Sequence, residues 1–381
     1  MNRTAITFWI LAAIVLYTYL VYPMLVALLA RFCARSIRRQ PRHRDAVSFV
    51  LAAHNEEGRI AGRINEFFEL MKRSGVAGEV IVVSDGSDDA TVVRAHATGH
   101  ANLNVIALGE NQGKAAALNA GCAAAHYPIL IFGDARQMWA DDSLDKILEN
   151  FADPRIGAVS GELVLESSPG VMAGVGMYWR YEKWLRRNEG RVHSTVGVTG
   201  AICAVRRALR KEIPTGTILD DVYWPMGVVM QGFRVVHDER ARAFDRLPVK
   251  ARDEFKRKVR TMAGNFQLAA LLPGALLPWR NPILWQFISH KLMRLLVPWA
   301  LIGMLITAAM IPTTLFHMIL AAQLAFYCFG LASLTTRWAS RLPLSSPVAS
   351  FLVLNSAAWM GLWVWASGGA LNCWHKVRYD A

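Results

Sequence analysis

The chain changes character along its length. Residues 7 to 30, TFWILAAIVLYTYLVYPMLVALLA, carry no charge and are long enough to span a bilayer. A second apolar zone fills most of 293 to 370 and divides at Pro312 and at the polar stretch TTRWASR, which predicts about three further spans. Between the zones, residues 40 to 265 alternate short apolar runs with helical periodicity. AVSFVLAAHNEE predicts a strand ending in polar residues, and GRIAGRINEFFELMKRS repeats apolar residues at helical spacing. GEVIVVSDGSDDAT is again strand then polar loop, TVVRAHAT a helix, NVIALG a strand, GKAAALNAGCAAA a helix of small residues and YPILIFGDA a fourth strand. This order predicts an α/β domain with a mostly parallel sheet. Ligands of such sheets bind at the carboxyl ends of the strands. The polar clusters there, His54 to Glu57, Ser84 to Ser87, Asn111 to Lys114 and Gly133-Asp134, therefore converge on one edge.

The next stretch is less regular. RIGAVSGELVL predicts a strand, GMYWRYEKWLRR a helix bearing aromatics and bases, and GVTGAICAVRRAL a strand entering a helix. The pair Asp220-Asp221 precedes a helix through WPMGVVMQGF, and RVVHDERARAF reads as an outer strand. EFKRKVRTMAGNFQLAALL is an amphipathic basic helix leading towards the membrane. LPGALLPWRNPILWQFISHK is apolar but broken by proline, and is expected to lie in the interface. The expected division is an anchor at 1-31, a globular domain at 44-266, interfacial helices at 267-291 and a spanning region at 292-381.

Charge orients this arrangement. The first apolar run is too long for a cleaved signal, and Arg31, Arg35, Arg38, Arg39, Arg42 and Arg44 follow it where only Arg3 precedes it. The positive-inside rule then places the globular domain in the cytoplasm of a multi-pass protein of the cell (inner) membrane. Arg337 and Arg341 fit an inside loop, whereas the tail WHKVRYDA falls outside despite its two bases. The net charge of +13 leaves nucleic acid, anionic lipid or a phosphorylated substrate as partners. No zinc-ligand spacing or helix-turn-helix pattern is present, which excludes the first. The five cysteines show no CxxC spacing and read as buried thiols.

Four places carry candidate chemistry. Asp85, at a strand end before Gly86 and Ser87, is placed to accept hydrogen bonds from a ligand's base or ribose, the alternative being a turn that caps the following helix. Lys114 stands just inside a helix start, where a cation suits phosphate, although GxxxxGK[ST] is absent and a solvated surface lysine is the alternative. Asp220-Asp221 supply a general base or merely an acidic helix start. Arg257 and Arg260, three apart on one helix face, suit a diphosphate or, on charge alone, lipid headgroups.

Together these segments resemble the family 2 glycosyltransferases, in the membrane-embedded branch that includes cellulose, chitin and hyaluronan synthases and NodC-like proteins. AAHNEE looks like the family's first nucleotide-binding strand end, which implies Ala53, Asn55 and Glu56 near uracil. SDGSDDAT and NQGKAAALNAG match its aspartate and glycine-lysine elements, with Lys114 near the nucleotide and Asn119 and Gly121 structural. Asp134 stands at the first position of the family's DxD, with Arg136 where the second carboxylate belongs. GVTGAICAVRR resembles the acceptor segment, with Gly200 and Ala201 at the site floor. LDD aligns with TED, making Asp221 the base, and RKVRT stands where processive members have QxxRW. Thr261 there cannot stack on a sugar, and Trp179, Trp184 or Trp224 are the candidates to compensate.

The resemblance implies a GT-A fold (Rossmann-like), a UDP-sugar donor, inversion at the anomeric carbon, and Mg²⁺ or Mn²⁺ held through Asp134. Arg136 then either leaves the metal on Asp134 alone or itself neutralises phosphate charge, and His237 is a further candidate ligand or a structural histidine. The acceptor is a glycan or lipid-linked, in surface polysaccharide biosynthesis, with membrane lipids and other polysaccharide export subunits as partners. The alternatives are single-sugar transfer to polyprenyl phosphate and a non-catalytic export or scaffold subunit. A Rossmann oxidoreductase is disfavoured, because residues 53 to 58 read AHNEEG and lack GxGxxG.

Overall fold

The computed structural model describes residues 3-41, 43-166, 173-246, 251-336 and 338-368. Arg42, Arg337 and the tail WHKVRYDA, which entered the orientation argument, lie outside the described residues. Helices α1 (Arg3–Leu16) and α2 (Tyr22–Phe32) join through a π turn into one apolar helix of 30 residues.

The globular part then runs β1 (Val47–Ala53), α3 (Ile60–Ser74), β2 (Gly78–Asp85), α4 (Thr91–His96), β3 (Leu103–Leu108), α5 (Lys114–Ala123) and β4 (Ile129–Phe132). It continues with β5 (Met138–Trp139), α6 (Ser143–Leu148), β6 (Ile156–Glu166), α7 (Ala173–Val192), β7 (Cys203–Arg206), α8 (Asp220–Met230), β8 (Arg234–Arg246) and α9 (Ala251–Leu271).

The eight strands form one sheet in the order β3-β2-β1-β4-β7-β6-β8-β5. β3, β2, β1 and β4 are parallel, as their near-continuous apolar runs predict for strands covered on both faces. β7 reverses the direction between β4 and β6, and β8 returns parallel to β6. The sheet is therefore mixed beyond its parallel half. β8, expected at the edge, is covered by the two-residue β5.

Alternation along β1 sorts its side chains between two cores. Phe49, Leu51 and Ala53 pack with Ile60, Ile64, Phe67 and Met71 of α3. Val50 meets Ala117, Leu118 and Cys122 of α5 on the opposite face. The small residues of α5 let it lie close: a Cβ on Gly121 would stand 2.5 Å from Val50 Cγ1.

α7 and α9 lie between the sheet and the apolar helices. α10 (Leu284–Phe287) runs through a π turn into α11 (Met293–Met310), followed by α12 (Thr314–Thr335) and α13 (Ser345–Ala366). Leu284–Met310 is one apolar helix of 27 residues, so the segment expected in the interface differs from expectation over Leu284–Leu292. Pro273, Pro278 and Pro282 all precede that helix, and Asn281 Oδ1 accepts the Ile283 amide 3.0 Å away at its start. Among the described residues, four helices are thus long and apolar enough to cross a membrane.

Phe67 is fully buried, stacked on Phe49 at 4.3 Å and beneath the Arg63 guanidinium at 4.1 Å. Phe67→Ala is expected to destabilise the globular domain by about 3–5 kcal/mol, read as a lower denaturation midpoint.

Candidate active site

Three elements bring charge to the carboxyl edge of the sheet. β4 is followed by Gly133, where a Cβ would come within 2.8 Å of Arg63 Nη2, and delivers Asp134. α5 begins at Lys114, after Gly113 at φ +91°. α8 starts with Asp220 and Asp221. The three meet in a cleft of about 310 Å³ lined by Lys114, Asp134, Gly200, Asp220, Asp221 and Trp224 among others. Lys114 Nζ donates to Asp134 Oδ1 at 2.9 Å, and a Cβ on Gly200 would lie 3.6 Å from the same nitrogen.

Burial works against the Lys114 ammonium, but the carboxylates of Asp134, Asp220 and Asp221 outweigh it and hold its pKa above the ordinary lysine value. The pKa of Asp220 is pushed up to about 6, chiefly by burial; Lys114 opposes this, and Asp221 and Asp134 add to it.

The rim is tied by its own loops. Both Asp85 oxygens accept backbone amides, from Gln112 at 2.8 Å and Gly113 at 2.9 Å. The buried carboxylate, expected to face a ligand, thus fixes the turn that presents Lys114. Asn55 takes a left-handed φ of +54°, and its Oδ1 accepts the Asp88 amide at 2.9 Å. The Glu56 amide donates to Thr91 Oγ1 at 2.8 Å.

Other expected residues stand elsewhere. Ala53 faces the α3 core, and strand alternation puts Ala52 on the cleft instead. Ala201 is buried and offers its carbonyl to Trp139 Nε1 at 3.0 Å. Trp184 is exposed beside Tyr181 and lies outside the cleft lining. Arg136 donates to Asp245 Oδ2 at 2.6 Å. His237 packs against Glu162 at 3.5 Å and is not a cleft residue. Arg257 lies 5.8 Å from the Trp179 ring, and Arg260 follows one turn later on α9.

Sequence reading missed the contacts that hold the α8 start. Gln267 Oε1 accepts the Ile218 amide at 2.9 Å, and its Nε2 donates to the Gly216 carbonyl at 2.9 Å. Gly264 lets α9 meet Leu219, where a Cβ would come within 2.6 Å of Cγ. Gly264 within the amphipathic segment was the available signal.

Carboxylate oxygens are hard donors that suit Mg²⁺ or Mn²⁺. Among the described residues no three His, Cys, Asp or Glu side chains converge as a metal site. The donor set fits a cation held by Asp134 and completed by ligand oxygens.

Residues 48–213 match the profile described as Glycosyl transferase family 2. The matched stretch runs from β1 to the segment after β7, on a mixed α/β sheet of the GT-A type. Poly-beta-1,6-N-acetyl-D-glucosamine synthase of Staphylococcus aureus (strain MSSA476) is 23% identical over 231 residues, 59% of this chain and 55% of the relative. The synthase of that name from Staphylococcus epidermidis is 21% identical over 240 residues, 61% of this chain and 57% of the relative. The chain spans about half the length of the curated relatives it matches. Mannosyltransferase PcManGT from Pyrobaculum calidifontis, solved with GDP-Man and Mn²⁺, superposes with a TM-score of 0.74 at 21% identity. The match covers 95% of this chain and 99% of that one, and the likeness is one of fold.

The raised Asp220 pKa sets a stability test. The unfolded carboxyl ionises near 3.8, so its folded ionisation opposes stability fully above about pH 6 and not at all below about pH 4. Asp220→Asn is expected to melt higher than the parent protein at about pH 8, with the gap closing as pH falls to about 4.

Proposed function

We propose that the protein is a membrane-bound inverting glycosyltransferase that moves a sugar from a UDP-sugar to a glycan or lipid-linked acceptor in surface polysaccharide biosynthesis. The convergence of Lys114, Asp134, Asp220 and Asp221 with Gly200 and Trp224 in one cleft carries this reading. Asp221 takes the proton of an acceptor hydroxyl, whose oxygen attacks the anomeric carbon as the bond to the diphosphate breaks. Lys114 meets the negative charge that develops on the leaving diphosphate. Before the donor arrives, Asp134 holds the ammonium in place. Trp224, buried against Phe132, offers an apolar wall to a sugar face.

Asp134 and the diphosphate oxygens are the groups that would hold Mg²⁺ or Mn²⁺. Such a cation neutralises phosphate charge. Arg257 and Arg260, on the helix that steadies the α8 start, lie on the membrane side and suit the diphosphate or lipid phosphates. The four apolar helices and the arginines after the first support a multi-pass protein whose catalytic domain faces the cytoplasm. Transfer of a single sugar is the second reading. Thr261 favours it, because its hydroxyl donates to the Arg257 carbonyl of its own helix at 2.9 Å and it supplies no aromatic face to a growing chain.

Screening UDP-sugars for UDP release, with and without EDTA, tests the reaction class; no release from any of them would refute it. Asp221→Asn is expected to lower transfer by about 10²- to 10⁴-fold while donor binding stays near the parent value. Transfer at the parent rate would remove Asp221 as base.

A further inference from the structure

A buried ion pair on α3 lies against the loop that carries Asp134. Arg63 is 2% exposed, and its Nη1 donates to Glu66 Oε2 at 2.7 Å. Its guanidinium carbon stands 4.1 Å from the centre of the Phe67 ring and 5.2 Å from that of Trp139. The other oxygen of Glu66 accepts the Trp139 amide at 2.7 Å. At the opposite end of the loop, a Cβ on Gly133 would meet Arg63 Nη2 at 2.8 Å. The pair therefore bears on the segment from Gly133 to Trp139 at both of its ends, with Asp134 between them.

Packing alone does not account for an arginine here. Nε and Nη2 of Arg63 are buried and have no hydrogen-bond partner among the described residues. Burial lowers the Arg63 pKa, and Glu66 and then Asp134 oppose this. Buried donors left unmade are unfavourable, and an apolar side chain of similar volume between Phe67 and Trp139 would avoid them. What an apolar side chain lacks is a charged planar fork that reaches both Glu66 and the backbone at Gly133. Glycine is the residue that admits the fork there. A Cβ at 133 would meet Nη2 and would also stand 3.2 Å from both Phe67 Cζ and Trp139 Cζ2, so the guanidinium, held by Glu66 and two rings, has little room to swing aside.

A second observation ties this contact to the cleft. Asp134 lines the cleft, and among the described residues its carboxylate makes one hydrogen bond, from Lys114 to Oδ1. In the reaction proposed above, Lys114 meets the charge of the diphosphate. Asp134 then depends on its backbone for its position, and that backbone follows directly on Gly133.

We propose that Arg63 is a positioning residue of the donor site: with Glu66 it fixes the Gly133–Trp139 loop from the α3 face, so that Asp134 holds its place when Lys114 turns to the diphosphate. The proposal deepens the transferase reading and rests on its donor site. Arg63 acts through the loop alone, since it is buried behind Gly133 and is not part of the cleft lining.

The test uses the full chain in nanodiscs, with UDP binding in the presence of Mn²⁺ read by calorimetry and stability read by thermal melting. Arg63→Met, which keeps the volume and removes the charge, and Gly133→Ala are each expected to weaken UDP binding about tenfold. The double variant is expected to bind no more weakly than the poorer single one, because both changes break the same contact. Where Arg63→Met does not fold, Arg63→Lys replaces it with the same weakening expected, since an ammonium cannot reach Glu66 and Gly133 together as the planar fork does. A lower melting point with UDP affinity equal to the parent's reduces Arg63 to a packing residue and overturns the proposal. Losses that simply add in the double variant overturn it as well. UDP release from UDP-sugars is assayed separately. A parent protein that binds UDP but releases none refutes the transferase reading, while the binding series still decides the role of Arg63; a parent that binds no UDP overturns both.

Discussion

The ion cluster centred on Lys114 is the constraint on which the site depends. Three carboxylates brought to one cleft repel one another, and burial raises the cost of each charge. A single ammonium 2.9 Å from Asp134, within reach of Asp220 and Asp221, makes the arrangement tolerable. The same cation is the natural partner of a diphosphate. On the proposed function, a donor diphosphate would take the place of Asp134 beside a lysine that is already held in position. The backbone serves this end: Asp85 spends both oxygens on the amides of Gln112 and Gly113, which fixes the turn just before Lys114.

The apolar helices reach the cluster through α9. On one side, Gly361 of α13 admits α9 so closely that a Cβ there would lie 2.8 Å from the Ala263 amide nitrogen. On the other, Gly264 admits Leu219, and Gln267 bonds the backbone at Gly216 and Ile218. Asp220 comes directly after. Because interiors are close-packed, a shift of α13 against α9 carries to the start of α8 instead of being absorbed. Asp220 and Asp221 thus take their position from the apolar helices as well as from the sheet.

The parallel half of the sheet was legible because its strands are apolar on both faces and end in polar clusters, as VSFVLAA and GEVIVVSD do. Lys114, Asp134, Asp220, Asp221, Gly200 and Trp224 were legible for the same reason, combined with family resemblance, and they share one cleft. The side chain of Ala53 turned to the α3 core and Ala52 to the cleft, because a strand end fixes a location but not which of two faces a side chain takes. The reversal at β7 was hidden, since a four-residue strand carries no direction in its sequence. Leu284–Leu292 was read as broken because three prolines precede it, yet proline restricts the helix start and leaves the later turns free to propagate. Contacts such as Gln267 to Ile218, 49 residues apart, have no local signature at all.

Arg136 shows how a single replacement redistributes charge. A second carboxylate at this position would sit near Asp134 and compete for Lys114. The guanidinium instead donates to Asp245 on β8 at 2.6 Å, and Gln137 donates to the same oxygen at 2.9 Å. Position 136 thus helps anchor the loop after β4 to the far end of the sheet. Asp134 is left as the only carboxylate of that loop in the cleft lining, with Asp220 and Asp221 facing it from α8. A hard cation beside Asp134 would find one carboxylate of that loop, and a bound ligand or water would have to supply the rest of its oxygens.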